Sequence, residues 1–271
     1  MRLANKRCPW LVPTSAALAL ASSTNVIAAE EEPKKGPWEI TLGAGAVNLP
    51  EYIGSDEYET RGMPVVSVRY KRFFLGGAPG SGSPAGIGAH LYEGESFRLG
   101  AVVSVDATKP REESDDESLR GLGDIDAAVR AGLFSSYRVA SWLTLRASAM
   151  TDVSDKQQGT TANFDAEFTY RPTARLTLSG GPGLTWADEE YMQTFFGITD
   201  EQAARSGLAA YTPEAGVSVV RLSVGAQYQF SRTWFAGARF TAAQLQDDAT
   251  AGPIVKDKNQ NLYALYFGYR F

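Results

Sequence analysis

Cysteine and histidine are almost missing from this chain, which holds one of each in 271 residues, at Cys8 and His90. A lone thiol excludes a disulfide framework, a zinc–cysteine site and, once the N-terminus is removed, a cysteine nucleophile. That poverty suits an oxidising compartment. Long apolar runs are missing too. Mean hydropathy is -0.22, and beyond Ala29 no uninterrupted apolar stretch approaches the roughly 20 residues of a spanning helix. Cations are outnumbered, with 26 Lys and Arg against 31 Asp and Glu and a net charge of -5, so no nucleic-acid partner is expected.

The N-terminus carries its own message. Arg2, Lys6 and Arg7 precede a mostly apolar run from Leu11 to Ala21, and the small residues Ala28 and Ala29 follow. This reads as a secretory signal peptide over residues 1–29. Cys8 sits in its basic region, without the small apolar residues ahead of it that lipoprotein acylation requires. Cleavage leaves 23 cations against 31 carboxylates, a net charge of -8, and a tail over residues 30–37 that opens on Glu30, Glu31 and Glu32.

What fills the rest is alternation. At the C-terminus Tyr263, Leu265, Phe267, Tyr269 and Phe271 share one face, and Ala264, Tyr266, Gly268 and Arg270 share the other. An apolar outer face over a small or charged inner face suits a closed sheet with lipid outside and a polar lumen inside. The period recurs from Trp38 onward: in Pro64 to Tyr70, in Ile87, Ala89 and Leu91 against Gly88, His90 and Tyr92, in Phe97 to Val105, and in Ile125 to Leu133. Later strands centre on Leu145, Ala166, Leu178, Val224 and Ala238. The expected fold is an all-β transmembrane antiparallel up-and-down barrel over residues 38–271. Twelve strands are predicted, or ten if the weak hairpin from Phe73 to Tyr92 is lost around its Gly- and Pro-rich tip. Short and long connections alternate, which places the short turns and both termini in the periplasm of a bacterial outer membrane. Trp38, Tyr70, Phe97, Tyr137, Tyr170, Trp186, Phe230 and Trp234 lie near strand ends, where interfacial girdles form. Membrane lipids are the implied surroundings, and a terminal Phe with same-face aromatics resembles the signal presented to the barrel assembly machinery.

The inward faces collect Glu39, Arg69, His90, Arg98, Asp126, Arg130, Arg146, Asp165, Glu167, Arg221, Arg239 and Arg270. Mixed guanidinium and carboxylate groups in a narrow lumen pair with one another, so a structural polar network is expected. The alternative is a conduit favouring anions, since arginines outnumber acids on that face. Catalysis needs a base beside a nucleophile or an activated water. His90 alone, with Ser104, Ser148 or Ser179 as conceivable neighbours, does not assemble one, and no enzyme is expected. No cofactor and no metal site are predicted; Glu112, Glu113, Asp115, Asp116 and Glu117 read as a solvated loop with at most weak affinity for Ca²⁺.

Strand chemistry gives way between Ala187 and Ala215. Phe196, Gly197, Ile198 and Thr199 are followed by Ala204, Arg205, Ser206, Gly207 and Leu208, then by Tyr211 and Pro213. With MPVVSVRYKRFFLGG, GLGDIDAAVRAG and LTLSGGPGLTW as weaker support, this segment resembles the MltA-interacting protein family, also called the OmpV family, and the resemblance runs from Trp38 to Phe271. Thr199 or Asp200 is placed to cap a short helix that Gly207 stops. Phe195, Phe196, Ile198, Leu208 and Tyr211 are poorly suited to water, so a partly helical loop over residues 187–215 is expected to fold over or into the barrel mouth as a plug. Should it form a pocket instead, Tyr191, Arg205 and Tyr211 are the candidates to line it. The resemblance implies a non-enzymatic scaffold that bridges a lytic transglycosylase and a murein synthase; a small-solute pore or outer-surface binding protein is the alternative.

Overall fold

The computed structural model describes residues 38–76, 86–105 and 110–271. The signal peptide, Cys8, the tail over 30–37 and most of the Gly- and Pro-rich tip lie outside the described residues. Twelve strands follow one another: β1 (Trp38–Pro50), β2 (Tyr58–Tyr70), β3 (Phe73–Gly76), β4 (Gly86–Glu93), β5 (Phe97–Val105), β6 (Val129–Ala140), β7 (Leu143–Asp152), β8 (Thr160–Tyr170), β9 (Leu176–Ala187), β10 (Gly216–Gln229), β11 (Trp234–Leu245) and β12 (Leu262–Arg270). Each pairs antiparallel with its neighbour, and β1 closes the barrel on β12, from Thr41 opposite Arg270 to Asn48 opposite Tyr263. The ten-strand alternative is therefore set aside. The hairpin from β3 to β4 forms although β3 has only 4 residues.

Register fixes which side chains meet lipid. Leu265 is 65% exposed and Ile87 67% exposed, an arrangement that water would punish and hydrocarbon welcomes. Around the end formed by the short turns, rings pack on one another: Trp38 with Tyr70 at 4.4 Å, Trp234 with Tyr269 at 4.7 Å, Tyr228 with Phe230 at 5.1 Å.

Two readings of the sequence change. β6 begins at Val129, not Ile125; Ile125 and Ala128 are buried among the loops, and Ile125 makes only a single bridge to Arg111. Their alternation serves packing beneath a cap rather than the wall, so Asp126 leaves the lumen set and meets Lys156 at 2.9 Å outside it. In β4 a bulge between His90 and Tyr92 shifts the register. One extra residue reverses the faces beyond it. Tyr92 turns outward against Leu99, and Glu93 turns inward opposite Arg98.

The inner wall is also less polar than its sequence pattern suggests. Val47, Leu49, Met63 and Ala264 form one apolar patch there, and Val102, Phe134 and Met150 another. Rings reach across neighbouring strands because glycine leaves room: a Cβ on Gly100 would lie 2.3 Å from the Phe134 ring.

Candidate functional site

At the mouth opposite the turns, the described long connections pack against one another and on the strand ends. Asp188 starts α1 (Glu189–Phe196) by accepting from the Tyr191 backbone N–H at 2.9 Å, and its other oxygen accepts from Thr160 N–H at 2.8 Å, tying the helix to β8. Glu189 and Glu190 then sit in the first turn, where the helix dipole favours them. The buried face of α1, Met192, Phe195 and Phe196, packs with Ile125, Ala249 and the strand-end residues Ala187 and Leu245. This first core therefore lies on the rim of the barrel itself.

α2 (Asp200–Ser206) begins at Thr199 with a reciprocal capping box to Gln202 and stops at Gly207, whose φ of 76° gives the left-handed turn that glycine accepts without strain. Ile198 and Tyr211 bond each other's backbones at 2.8 and 2.9 Å and close the segment into a knot. Ile198 joins Tyr52, Leu119, Leu122 and Ile254 in a second core, with Leu208 and Tyr211 packed against it. Polar pins reinforce both cores. Gln202 donates to the Leu122 carbonyl at 2.6 Å and Tyr211 to the Asp248 carbonyl at 2.8 Å.

One ion pair joins loops far apart in sequence. Lys256 meets Asp116, with Asp56 at 3.9 Å. Burial opposes ionisation of Asp116, yet the Lys256 ammonium and the Ser118 donors outweigh it and hold the carboxyl at about 2; the same contact pushes Lys256 up. A carboxylate depressed by folding stabilises the cap above its ordinary value of 3.8 and loses that contribution as pH falls through about 2. Cap proteolysis is thus expected to rise as pH drops from about 4 to 2, and Asp116→Asn to raise it at neutral pH and flatten that dependence. An unaltered dependence in the variant would assign it to other carboxylates. Deeper in the cap, burial pushes the Arg111 guanidinium down, and its Nε and Nη1 have no hydrogen-bond partner among the described residues. The neighbouring acids are committed locally: Asp115 accepts from Glu112 N–H at 2.7 Å and Glu113 from Gly123 N–H at 2.6 Å. Among the described residues no group of His, Cys, Asp and Glu is placed to hold a metal ion.

The three pocket candidates do not converge. Tyr191 stacks on Phe195 at 4.3 Å, and both rings lie over Arg130, at 5.7 and 6.0 Å. Tyr211 belongs to the second core, and Arg205 stands exposed on α2.

Inside the barrel the remaining charges resolve into separate clusters. Arg69 pairs with Glu93 at 2.6 Å, Arg146 with Glu167, and Arg221 with Asp165 at 2.7 Å. Arg221 also donates to Thr185, whose hydroxyl donates to Asn163, both at 2.7 Å. The Arg221–Asp165 pair runs from β10 to β8 over Gly183, where a Cβ would fall 2.2 Å from the carboxylate. It straps a weak seam, because Pro182 has no N–H to donate and the β8–β9 pairing skips from Asp165–Gly183 to Phe168–Gly180. Arg130 donates to Gln158 at 2.8 Å. Arg239 reaches Ser179 at 3.4 Å, and Arg270 lies 5.7 Å from the centre of the Phe235 ring. Arg98 lies on the inner wall opposite Glu93, and Glu39 is exposed at the turn end. His90 is wedged between Phe74 and Phe134, at 5.3 and 5.6 Å, with Nδ1 unpartnered among the described residues. Sequence reasoning missed Lys256, Gln158 and Glu93; Lys256 and Asp116 stand 140 positions apart with no local pattern to link them.

The YiaT protein of Escherichia coli K12 is 27% identical over 229 residues, covering 82% of this chain and 87% of that one. The MltA-interacting protein of the same organism is 27% identical over 258 residues, covering 93% and 95%. Among solved structures, an outer membrane channel from Pseudomonas putida F1 aligns with a TM-score of 0.48 at 14% identity, over 91% of this chain and 100% of that one. The sequence pattern of MltA-interacting protein MipA matches residues 42–271, and with the closed barrel this makes the chain an outer-membrane member of the MipA family.

Proposed function

We propose that this protein is a capped, non-enzymatic barrel that serves as a docking scaffold for peptidoglycan enzymes, with its turns and termini in the periplasm. The observation that carries the reading is the packing of the long connections at the mouth into two apolar cores, with ion pairs on the wall beneath. A barrel capped in this way is read as offering surfaces rather than a passage. The relative whose name states an interaction with MltA supports a lytic transglycosylase as one partner, and the family resemblance supports a murein synthase as the second. His90, held between two rings with no hydroxyl partner among the described residues, supports the non-enzymatic reading.

Affinity capture from mildly crosslinked envelopes is expected to recover both kinds of enzyme, and their absence would remove the scaffold. The second reading, a small-solute pore, is favoured by Arg239 and Arg270, which meet a hydroxyl and a ring instead of carboxylates. Planar-bilayer recording separates the two. The capped scaffold is silent, whereas stepwise conductance would favour the pore.

A further inference from the structure

A groove on the lipid-facing side of the wall takes no part in the cap. It measures about 1210 Å³, above the roughly 300–1,000 Å³ of ordinary small-molecule pockets. Its floor consists of side chains too small to fill it: Gly180 on β9, and Ala226 and Ala238, which face each other across β10 and β11. Trp142, Phe168 and Tyr170 line it toward the turn end. Tyr170 ends β8 and pairs with Leu178, a further lining residue, so the chain between them turns directly below the groove.

That turn carries Arg171 and Arg175. Thr173 Oγ1 accepts from the N–H groups of Arg175 at 3.3 Å and Leu176 at 3.0 Å, and the Arg175 carbonyl accepts from Gln229 N–H at 2.8 Å. Both arginines are exposed and make no ion pair among the described residues. Charge is divided between the two ends of the molecule. The turns hold Lys71, Arg72, Arg171, Arg175 and Arg232 against the single acid Glu95, whereas acids dominate the described loops of the opposite end.

We propose that the groove and this arginine pair form a binding site for an anionic phospholipid, with acyl chains along the Gly180–Ala226–Ala238 floor and the phosphate at Arg171 and Arg175. The lining opens to hydrocarbon and ends in aromatic residues at headgroup depth. Cations at that depth attract anionic headgroups, and a guanidinium fork matches phosphate oxygens. A zwitterionic lipid brings its own ammonium and gains less. The choice of a phospholipid rests on the periplasmic orientation of the turns proposed above; the binding test reads lipid selection by the purified barrel, whichever way it sits in a membrane, and is separate from the capture experiment.

The full barrel is incubated with equal amounts of phosphatidylglycerol and phosphatidylethanolamine, and retained lipid is counted by native mass spectrometry. Retention of phosphatidylglycerol is expected to exceed that of phosphatidylethanolamine on the order of tenfold. Arg171→Gln with Arg175→Gln should bring the ratio close to one, and Ala226→Phe should lower retention of both lipids while keeping the ratio. Folding of each variant is read from heat-modifiable gel migration. Equal retention of the two lipids by the unaltered protein overturns the proposal, as does a preference that survives loss of both arginines or a retention unchanged by filling the groove.

Discussion

Phe196→Ala is expected to release the cap while the barrel stays folded. Phe196 is 1% exposed and packs in the core that seats α1 on the ends of β9 and β11. Truncating a buried phenylalanine costs about 3–5 kcal/mol through lost burial and the cavity left behind. Since that core lies above the wall, the loss falls on cap opening rather than on the strand ladder. Amide exchange over residues 189–206 and 246–257 should accelerate by roughly two to four orders of magnitude, with strand amides unchanged. Equal acceleration in the strands would show that cap and wall open as one unit.

Gly181→Val should weaken the barrel itself, by about 3 kcal/mol or more. Gly181 has a φ of 151°, and a Cβ there would fall 2.0 Å from the Ala166 carbonyl oxygen. A branched side chain accepts neither the dihedral nor the contact. The position adjoins Pro182, where the β8–β9 ladder already skips two pairs, so few neighbouring bonds absorb the strain. The urea midpoint of refolding into lipid vesicles is the measurement. A midpoint equal to that of the parent protein would mean that the seam accepts a side chain at this position.

Much of the wall was legible because lipid and lumen impose a period of two. In β12 every second residue from Tyr263 to Tyr269 is apolar, and those four residues face outward in the observed register. The bulge in β4 left no such mark: Tyr92 and Glu93 each suit either face of a strand near the interface, and one inserted residue exchanges them. Ile125 misled for the opposite reason, since its alternation with Ala127 continues that of β6 but is used to pack under α1. Parity put Arg221 and Asp165 on the inner face. It could not say that they pair, because the contact crosses an intervening strand and depends on a glycine there.

The candidate site was less legible still. The aromatic and aliphatic residues between Phe195 and Tyr211 announced that this loop avoids water, as burial free energy demands of so much apolar surface. The residues that receive them come from three other connections: Tyr52, Leu119, Ile125, Ala249 and Ile254 are unremarkable in their own neighbourhoods. Tyr191, Arg205 and Tyr211 are close in the chain, yet the two short helices carry them to different surfaces.

Alternation, turn length and the want of long apolar runs were enough to determine a lipid-embedded closed sheet of twelve or ten strands, since no other backbone arrangement satisfies its hydrogen bonds in hydrocarbon while presenting one apolar face. Only the tertiary structure decided which segments meet in the cap, which lumen charges meet, and where the strand pairing is interrupted. Those outcomes depend on contacts between segments separated by scores of residues, such as Lys256 with Asp116, for which the local pattern of side chains holds no record.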